Sequence, residues 1–211
     1  MEAINLIANQ DIVLNNVSSR VPISINGSIP MFWRPPSPHV LKINIDASFI
    51  SASEFAGIGI LIRDYAGHFR KAKCVQIRSG SSEQAEGLAI LVAVEWAKEL
   101  KLSRVSFESD AKNLIDYINS GKGGIEWSSR TILDDSKFLS SFFDSVDFIY
   151  THRDTNRTAD ILARAARLSN DGSASFDYPP YIIFDVLTSD ENGIVNFPNN
   201  GNHIVASNFS L

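Results

Sequence analysis

The chain has 211 residues, of which 44% are hydrophobic and 20% charged, so it can bury the core of one ordinary domain and has some additional length. Its formal net charge of −5 argues against a protein whose main role is tight, non-specific nucleic-acid binding, but not against an enzyme that acts on nucleic acid locally. The sequence contains no apolar run near the ~20 residues of a membrane span, and its start lacks the features of a secretory signal.

The single cysteine, Cys74, can form neither an internal disulfide nor a thiolate metal cage. Together with the missing signal and membrane span, it predicts an intracellular, reducing location, in either the nucleus or the cytoplasm. We expect a monomer with no membrane partner and no disulfide partner.

The sequence divides into three parts. Residues 1–30 are polar and have no sustained periodicity, so we expect a poorly ordered N-terminal segment. A proline-rich entry, FWRPPSPHV, then leads into a domain predicted over residues 31–169. Residues 170–211 form a tail rich in Asn, Asp, Gly, Ser and Pro, whose one apolar patch, YIIFDVL, is expected either to dock as a short element or to stay loose.

The hydrophobic pattern of the domain predicts the element order β-β-β-α-β-α-α-β-α. Strands are predicted at residues 40–47, 57–64, 69–77, 104–109 and 146–152, and helices at 81–100, 110–120, 126–143 and 155–168. The tight turn after the second strand predicts an antiparallel hairpin, and the long helix before the fourth strand allows a parallel crossover. We therefore expect an α/β fold with a five-stranded mixed sheet, in which strands 1 to 3 are antiparallel, strands 1, 4 and 5 are parallel, and helices flank the sheet.

Four acidic residues fall at one edge of this predicted sheet. Asp46 lies near the carboxyl end of the first strand, and Asp110 directly follows the fourth. Glu86 lies about one turn inside the helix between these strands, and Asp160 lies one turn inside the last helix. Because the carboxyl ends of parallel strands meet at one edge of a sheet, we expect the four carboxylates to converge.

Converging carboxylates need a compensating charge. A like-charge pair at ~4 Å costs roughly 4 kcal/mol at an effective dielectric near 20, so some of the acids would stay protonated without a cation. Hard oxygen ligands are what Mg²⁺ prefers, and two such ions can support phosphodiester hydrolysis. The pattern therefore favours two Mg²⁺ ions, with Mn²⁺ as a possible substitute, held by Asp46, Glu86, Asp110 and Asp160.

Each acid also has a plain structural explanation. Asp46 could accept a hydrogen bond from a loop N–H, and Asp110 could be a favourable acid at a helix N-terminus. Glu86 could be a solvated helix residue, and Asp160 could pair with Arg164 one turn later. The ordered set, rather than any single residue, favours the metal interpretation.

Five segments in order resemble the type 1 ribonuclease H family, most closely its plant branch of reverse-transcriptase-like or ribonuclease-H-like domains. These segments, between about Trp33 and Arg167, are FWRPP with LKINIDASF, AGIGILIRDYAGHF, QAEGLAILVAVEWAKEL, FESDAKNLI and THRDTNRTADILARAA. The resemblance implies a ribonuclease-H-like fold. It also implies metal-dependent endonucleolytic hydrolysis of the RNA strand of an RNA–DNA hybrid.

The same resemblance implies roles for individual residues. It assigns the four metal-binding acids to Asp46, Glu86, Asp110 and Asp160 as a catalytic set, with Glu83 as a rival to Glu86.

Three further residues match positions of the family. His152 matches a mobile loop histidine implicated in proton handling or product release, although it could also be a plain loop histidine. Ser82 stands where relatives carry an asparagine that contacts the hybrid, and Asn156 matches a loop asparagine. We therefore place Ser82 and Asn156 in the substrate-binding region, and expect Asn156 to fix the backbone more than to do chemistry.

The chain also departs from its relatives. Glu83 adds a carboxylate where relatives have an asparagine, and the basic, Trp-bearing handle of some relatives is missing, so we expect weak, salt-sensitive hybrid binding. The alternative is a catalytically weak or inactive nucleic-acid-binding or interaction module with the same fold. A 3′–5′ exonuclease or a transposase on a related scaffold is disfavoured by the hairpin-first layout and the TADILAR helix.

Overall fold

A computed structural model describes residues 32–196 of the chain. The N-terminal segment expected over residues 1–30 lies outside the described residues, as does the end of the tail from residue 197. The strands are β1 (Leu41–Ser48), β2 (Ala56–Arg63), β3 (Phe69–Ile77), β4 (Arg104–Ser109), β5 (Ser145–Tyr150) and β6 (Ser173–Phe176). The α-helices are α1 (Ser82–Glu99), α2 (Lys112–Ser120), α3 (Trp127–Ser140), α4 (Arg157–Leu168) and α5 (Phe184–Asn196), with 3₁₀ turns at Arg153–Thr155 and Tyr181–Ile183.

The strands form one mixed sheet in the order β5-β4-β1-β2-β3-β6. β1 pairs in parallel with β4, and β4 pairs in parallel with β5. The pairs β1–β2 and β2–β3 are antiparallel. This arrangement confirms the predicted α/β class and the predicted directions of the first five strands.

The expected count of five strands is corrected by a sixth strand. β6 comes from the predicted tail and pairs antiparallel with β3, so that Ala72 lies opposite Phe176 and Val75 opposite Ser173. The segment SASF alternates polar and apolar residues, but with only four residues it is too short for this pattern to predict a strand by itself. Its pairing with β3 therefore comes from tertiary contact, which a hydrophobic pattern does not reveal.

The two faces of the sheet bury different kinds of side chain. On one face, Ile43 and Ile45 of β1 pack with residues of α1, such as Ile90 and Val94, in the larger hydrophobic cluster. The alternation of β1 turns Asn44 and the other even-numbered residues towards the opposite face, which α4 covers. β1 thus supplies apolar residues to the core and polar residues to the α4 side.

Two glycines of β2 allow α4 to lie directly against the sheet. A Cβ atom at Gly59 would collide with the carbonyl oxygen of Ala159, and one at Gly57 would collide with that of Ala163. Gly59 is paired with Asp46 across the β1–β2 ladder. The close approach therefore brings the first turn of α4, which carries Asp160, next to Asp46.

The apolar patch of the tail docks on the α4 side of the sheet. Ile183 and Leu187 are buried in a second hydrophobic cluster with Leu61, Cys74 and Leu162. Of the two outcomes expected for this patch, docking is therefore the one observed. None of the helices within residues 32–196 combines the length and the apolar character needed to cross a bilayer.

Gly59→Ala tests whether this close packing is required. The added methyl group must push α4 away from β2, so we expect the free energy of unfolding, measured by urea denaturation, to fall by about 1–3 kcal/mol or more. Gly124→Ala is the matched control, since a Cβ there meets no atom of residues 32–196 within 4 Å. Equal stability of the two variants would contradict the packing.

Candidate metal centre

Asp46 and Asp110 are placed side by side by the parallel pairing of β1 and β4. Asn44 lies opposite Glu108 in the last pair of this register, so Asp46 and Asp110, two positions later on each chain segment, lie at the same edge, where β4 ends and β1 continues only in its pairing with β2. β4 ends at Ser109, whose Oγ accepts the N–H of Ala111 at 3.1 Å as the chain turns into α2. Asp110 therefore lies in a short, hydrogen-bonded corner at the carboxyl end of the central strands.

Glu86 reaches the same edge from α1. The helix begins after Ser81, whose Oγ accepts the N–H of Gln84 at 3.1 Å, while Gln84 Oε1 accepts the N–H of Gly80 at 2.7 Å. One turn later, the carboxylate of Glu86 accepts a hydrogen bond from the backbone N–H of Ala47 in β1. Its Oε2 atom is buried and has no hydrogen-bond partner among residues 32–196.

Three of the four predicted acids converge. Asp46, Glu86 and Asp110 each offer one carboxylate oxygen, and these oxygens lie within 4.8 Å of one another. An all-carboxylate set of this size suits a hard divalent cation such as Mg²⁺ or Mn²⁺. The buried Glu86 Oε2 without a partner fits this reading, because a carboxylate oxygen in such a place normally has a ligand or a donor.

The cluster resists carrying its full negative charge. Asp46 is 6% exposed, and its burial, followed by the charges of Asp110 and Asp160, raises its pKa to about 8. Burial, reinforced by Asp46 and Asp110, also raises the pKa of Glu86 well above its ordinary value. Burial likewise raises the pKa of Asp110, although the positive charge of Arg153 opposes this. A bound divalent cation would reverse these shifts.

Asp160 lies beside the three acids but is paired with arginines. Its carboxylate is 2.9 Å from Arg164 Nη2 and 3.4 Å from Arg153 Nη2. Its charge still raises the pKa of both Asp46 and Asp110, so it belongs to the same electrostatic environment. The structure thus shows the Arg164 ion pair that was the plain explanation for this residue, and it places that pair at the edge of the acidic cluster.

Arg153 was not singled out by the sequence analysis. It lies in the 3₁₀ turn before α4, and its charge lowers the pKa of Asp46, Glu86 and Asp110. Its position next to His152 in the loop was the only sequence signal for it. Within residues 32–196, no lysine, arginine or histidine forms an ion pair with Asp46 itself, since Arg153 and Arg164 both bind Asp160.

His152 and Ser82 are exposed near this edge. The ring of His152 accepts the N–H of Asp154 through Nδ1 at 3.3 Å, and its charge when protonated lowers the pKa of Asp110. Ser82 is the first residue of α1 and is exposed to solvent. Both side chains are thus accessible to solvent.

The two other candidates have structural contacts. Glu83 accepts the N–H of Glu126 at 2.7 Å through Oε1 at the start of α3, so Glu86 rather than Glu83 joins Asp46 and Asp110. Asn156 is 1% exposed, and its Nδ2 donates to the carbonyl oxygen of Ile45 at 2.8 Å. This contact ties the Asn156 side chain to the backbone of β1 and leaves it away from solvent.

Comparisons with known proteins give consistent matches. A family model described as "Reverse transcriptase-like" matches residues 44–166 of the chain. A curated protein of Arabidopsis thaliana named "Putative ribonuclease H protein" is 27% identical over 161 residues, which are 76% of this chain and 26% of that protein. The chain therefore spans about a quarter of the length of this relative.

Solved ribonuclease H structures have the same fold. The RNase H1 of the halophilic archaeon Halobacterium salinarum matches with a TM-score of 0.57 and 20% identity, over 60% of this chain and 96% of that chain. The N-terminal RNase H domain of rv2228c from Mycobacterium tuberculosis matches with a TM-score of 0.55 and 17% identity, over 61% and 93%. LC11-RNase H1, in a complex with an RNA/DNA hybrid, matches with a TM-score of 0.55 and 20% identity, over 60% and 96%.

The raised pKa of Asp46 predicts an unusual pH dependence of stability. Because the pKa of Asp46 in the folded, metal-free protein is about 8, its carboxyl group holds a proton up to about that pH, whereas in the unfolded chain the pKa has its ordinary value of 3.8. Between these values the folded state binds more protons, so the free energy of unfolding falls as the pH rises. We expect Asp46→Asn to flatten this fall and to stabilise the metal-free protein near pH 8 by on the order of 1 kcal/mol.

Thermal unfolding in a chelator, followed from about pH 5 to about pH 8, measures this effect. The matched control is Asp116→Asn, because Asp116 pairs with Lys112 on the exposed surface of α2. The same dependence of stability on pH for the wild type and for Asp46→Asn would contradict a raised pKa of Asp46 in the folded protein.

Proposed function

The chain belongs to the reverse transcriptase-like family. From this premise we propose that it is a type 1 ribonuclease H of the plant branch and that it hydrolyses the RNA strand of RNA–DNA hybrids. The proposed reaction is endonucleolytic and depends on Mg²⁺. The observation that carries it is the convergence of Asp46, Glu86 and Asp110 within 4.8 Å at the carboxyl edge of the parallel strands. Such a cluster lowers the free energy of unfolding unless a bound cation compensates its charge.

Each acid has a proposed role in the two-metal site. Asp46, Glu86 and Asp110 would hold the divalent ions, and Asp160 would join them when its arginine partners turn to the phosphate backbone. Bound divalent ions supply the activation of a water and the stabilisation of charge at the phosphate that this chemistry requires. His152, exposed and close to Asp110, would handle a proton or assist product release.

Two features support a hybrid as the substrate. The Arabidopsis relative is named a ribonuclease H protein, and LC11-RNase H1, which shares the fold, was solved with an RNA/DNA hybrid. Arg153 and Arg164 are exposed cations beside the acidic cluster, where they would bind a phosphate group of the hybrid. RNA would be distinguished from DNA through its 2′-hydroxyls across the shallow minor groove, with Ser82 as a contact.

The proposal extends to the organisation of the protein. We assign the catalytic domain to residues 31–169 and expect Mn²⁺ to replace Mg²⁺. A monomeric, intracellular protein is part of the same proposal. Hybrid binding should be weak and salt-sensitive, because basic residues of the β2–β3 hairpin are engaged: Arg70 binds Asp64 at 2.7 Å, and Lys71 binds Asp177.

A cleavage assay tests the proposed reaction. The protein is incubated with a hybrid labelled on its RNA strand and with Mg²⁺, beside Asp46→Asn and the surface control Asp116→Asn. We expect internal cuts in the RNA by the wild type and by the control, and a loss of about 10³-fold or more in Asp46→Asn. A duplex of DNA with the same sequence should remain intact.

Other results would contradict the proposal. Binding of the hybrid without cleavage would favour the non-catalytic module. Shortening of DNA from its ends would favour an exonuclease. Equal cleavage by the wild type and by Asp46→Asn would remove the acidic cluster from the reaction.

A further inference from the structure

A cluster of charged and polar side chains is buried on the α4 side of the sheet, beside the acidic site. Each member is at most 6% exposed. The cluster consists of Trp33, Lys42, Asn44, Arg63 and Glu108. Fully buried charges are rare unless they are paired, because their desolvation is costly. Lys42 Nζ lies 2.6 Å from Glu108 Oε1, which accounts for one pair and leaves the guanidinium of Arg63 to be balanced.

Asn44 is the junction of this cluster. Its Oδ1 accepts from Trp33 Nε1 at 2.9 Å and from Arg63 Nη2 at 3.0 Å. Its Nδ2 donates to Glu108 Oε2 at 3.0 Å and to Asn156 Oδ1 at 3.3 Å. An asparagine side chain offers two acceptor sites and two donors, and here all four are used. Such a fully bonded amide has one orientation.

Asn156 connects that junction to the acidic site. Its Nδ2 donates to the carbonyl oxygen of Ile45, the residue before Asp46, at 2.8 Å. The backbone carbonyl oxygen of Asn156 accepts the N–H of Asp160 at 3.2 Å as α4 begins. One buried residue therefore ties the end of β1, which carries Asp46, to the start of α4, which carries Asp160.

The balancing charge for Arg63 comes from α5. Arg63 Nη1 lies 2.6 Å from Asp190 Oδ2, and the guanidinium stacks on the Trp33 ring with 3.5 Å from its central carbon to the ring centroid. Burial raises the pKa of Asp190, and the charge of Arg63 opposes this. Arg63 Nε is buried and has no hydrogen-bond partner in the described part of the chain, so the loss of Asp190 would leave the guanidinium with few hydrogen bonds. α5 lies beyond residues 44–166, which match the family model.

We propose that α5 is a positioning element of the acidic site, and that Asp190 acts on it through Arg63, Asn44 and Asn156. Asp190 fixes the guanidinium, the guanidinium fixes the Asn44 amide, and this amide fixes Asn156 between Asp46 and Asp160. The functional unit therefore extends through residue 190, past the boundary expected at residue 169. The consequence for cleavage rests on the proposed function, whereas the consequence for the geometry and the ion affinity of the site does not.

The first test compares Asp190→Asn with Asp185→Asn, an exposed acid at the start of the same helix. Titration calorimetry with Mg²⁺ and hybrid cleavage are measured on the full chain. For Asp190→Asn we expect the Mg²⁺ Kd to rise about 10-fold and kcat to fall, with KM for the hybrid nearly unchanged. Asp190→Glu keeps the charge and should recover part of the loss. Asp185→Asn should match the wild type in both assays.

A second readout does not require any metal. In ¹H–¹⁵N spectra, Asp190→Asn should shift the backbone amide signals of Ala47 in β1 and of Asp160 in α4, the two elements that Asn156 joins. Asp185→Asn should leave both signals unchanged. If Asp190→Asn lowers the melting temperature but leaves these amides and the Mg²⁺ Kd unchanged, Asp190 only stabilises the fold and the proposal is overturned. Shifted amides in a protein that cuts no hybrid would uphold the proposal and reject the proposed function.

A double-mutant cycle tests the path itself. Asn44→Ala removes the junction, so adding Asp190→Asn to it should cause little further change in the Ala47 and Asp160 amides. Additive shifts would show that Asp190 reaches the site by another route, which would also overturn the proposal.

Discussion

The central constraint on this molecule is the crowding of three carboxyl groups at one edge of the sheet, where Asp46 is buried and Glu86 and Asp110 are partly buried. Asp46, Glu86 and Asp110 approach within 4.8 Å of one another, and burial holds the pKa of each above its ordinary value. A protein gains no stability from such an arrangement in the absence of a cation. The surrounding structure holds these three carboxyl groups together and compensates part of their negative charge.

Two kinds of contact hold the groups together. The parallel register of β1 and β4 fixes Asp46 beside Asp110, and the N–H of Ala47 anchors Glu86. From the other side, Gly59 lets α4 come close enough to bring Asp160, with its arginines, to the same edge. Arg153 and Arg164 form ion pairs with Asp160. They act on Asp46 without an ion pair, because their positive charges lower its pKa from a distance.

Much of this arrangement follows from local rules that operate on the sequence. The two-residue alternation of β1 and the crossover helix before β4 are sufficient to place Asp46 and Asp110 at one edge. The choice between Glu83 and Glu86 is different, because both lie at the start of one helix. A long-range contact separates them, because the carboxylate of Glu83 accepts the backbone N–H of Glu126 and so lies outside the acidic cluster.

Long-range contacts account for what the sequence pattern did not reveal. β6 is a strand because β3 offers it an edge to pair with, and the four residues of SASF are too few for their alternation to predict that pairing. The pairing of Arg63 with Asp190 joins residues 127 positions apart, and Asn44 with Asn156 joins residues 112 apart. No periodicity marks such pairs. They become visible only when the sheet is assembled with α4 and α5, which bring Asn156 and Asp190 to it.

The most direct measurement of the central claim is the location of a bound divalent ion. Crystals of the protein grown with Mn²⁺ would give an anomalous difference map, in which we expect a peak bonded to oxygens of Asp46, Glu86 and Asp110. A map with no peak there at saturating Mn²⁺, while the three carboxylates stay together, would contradict the account.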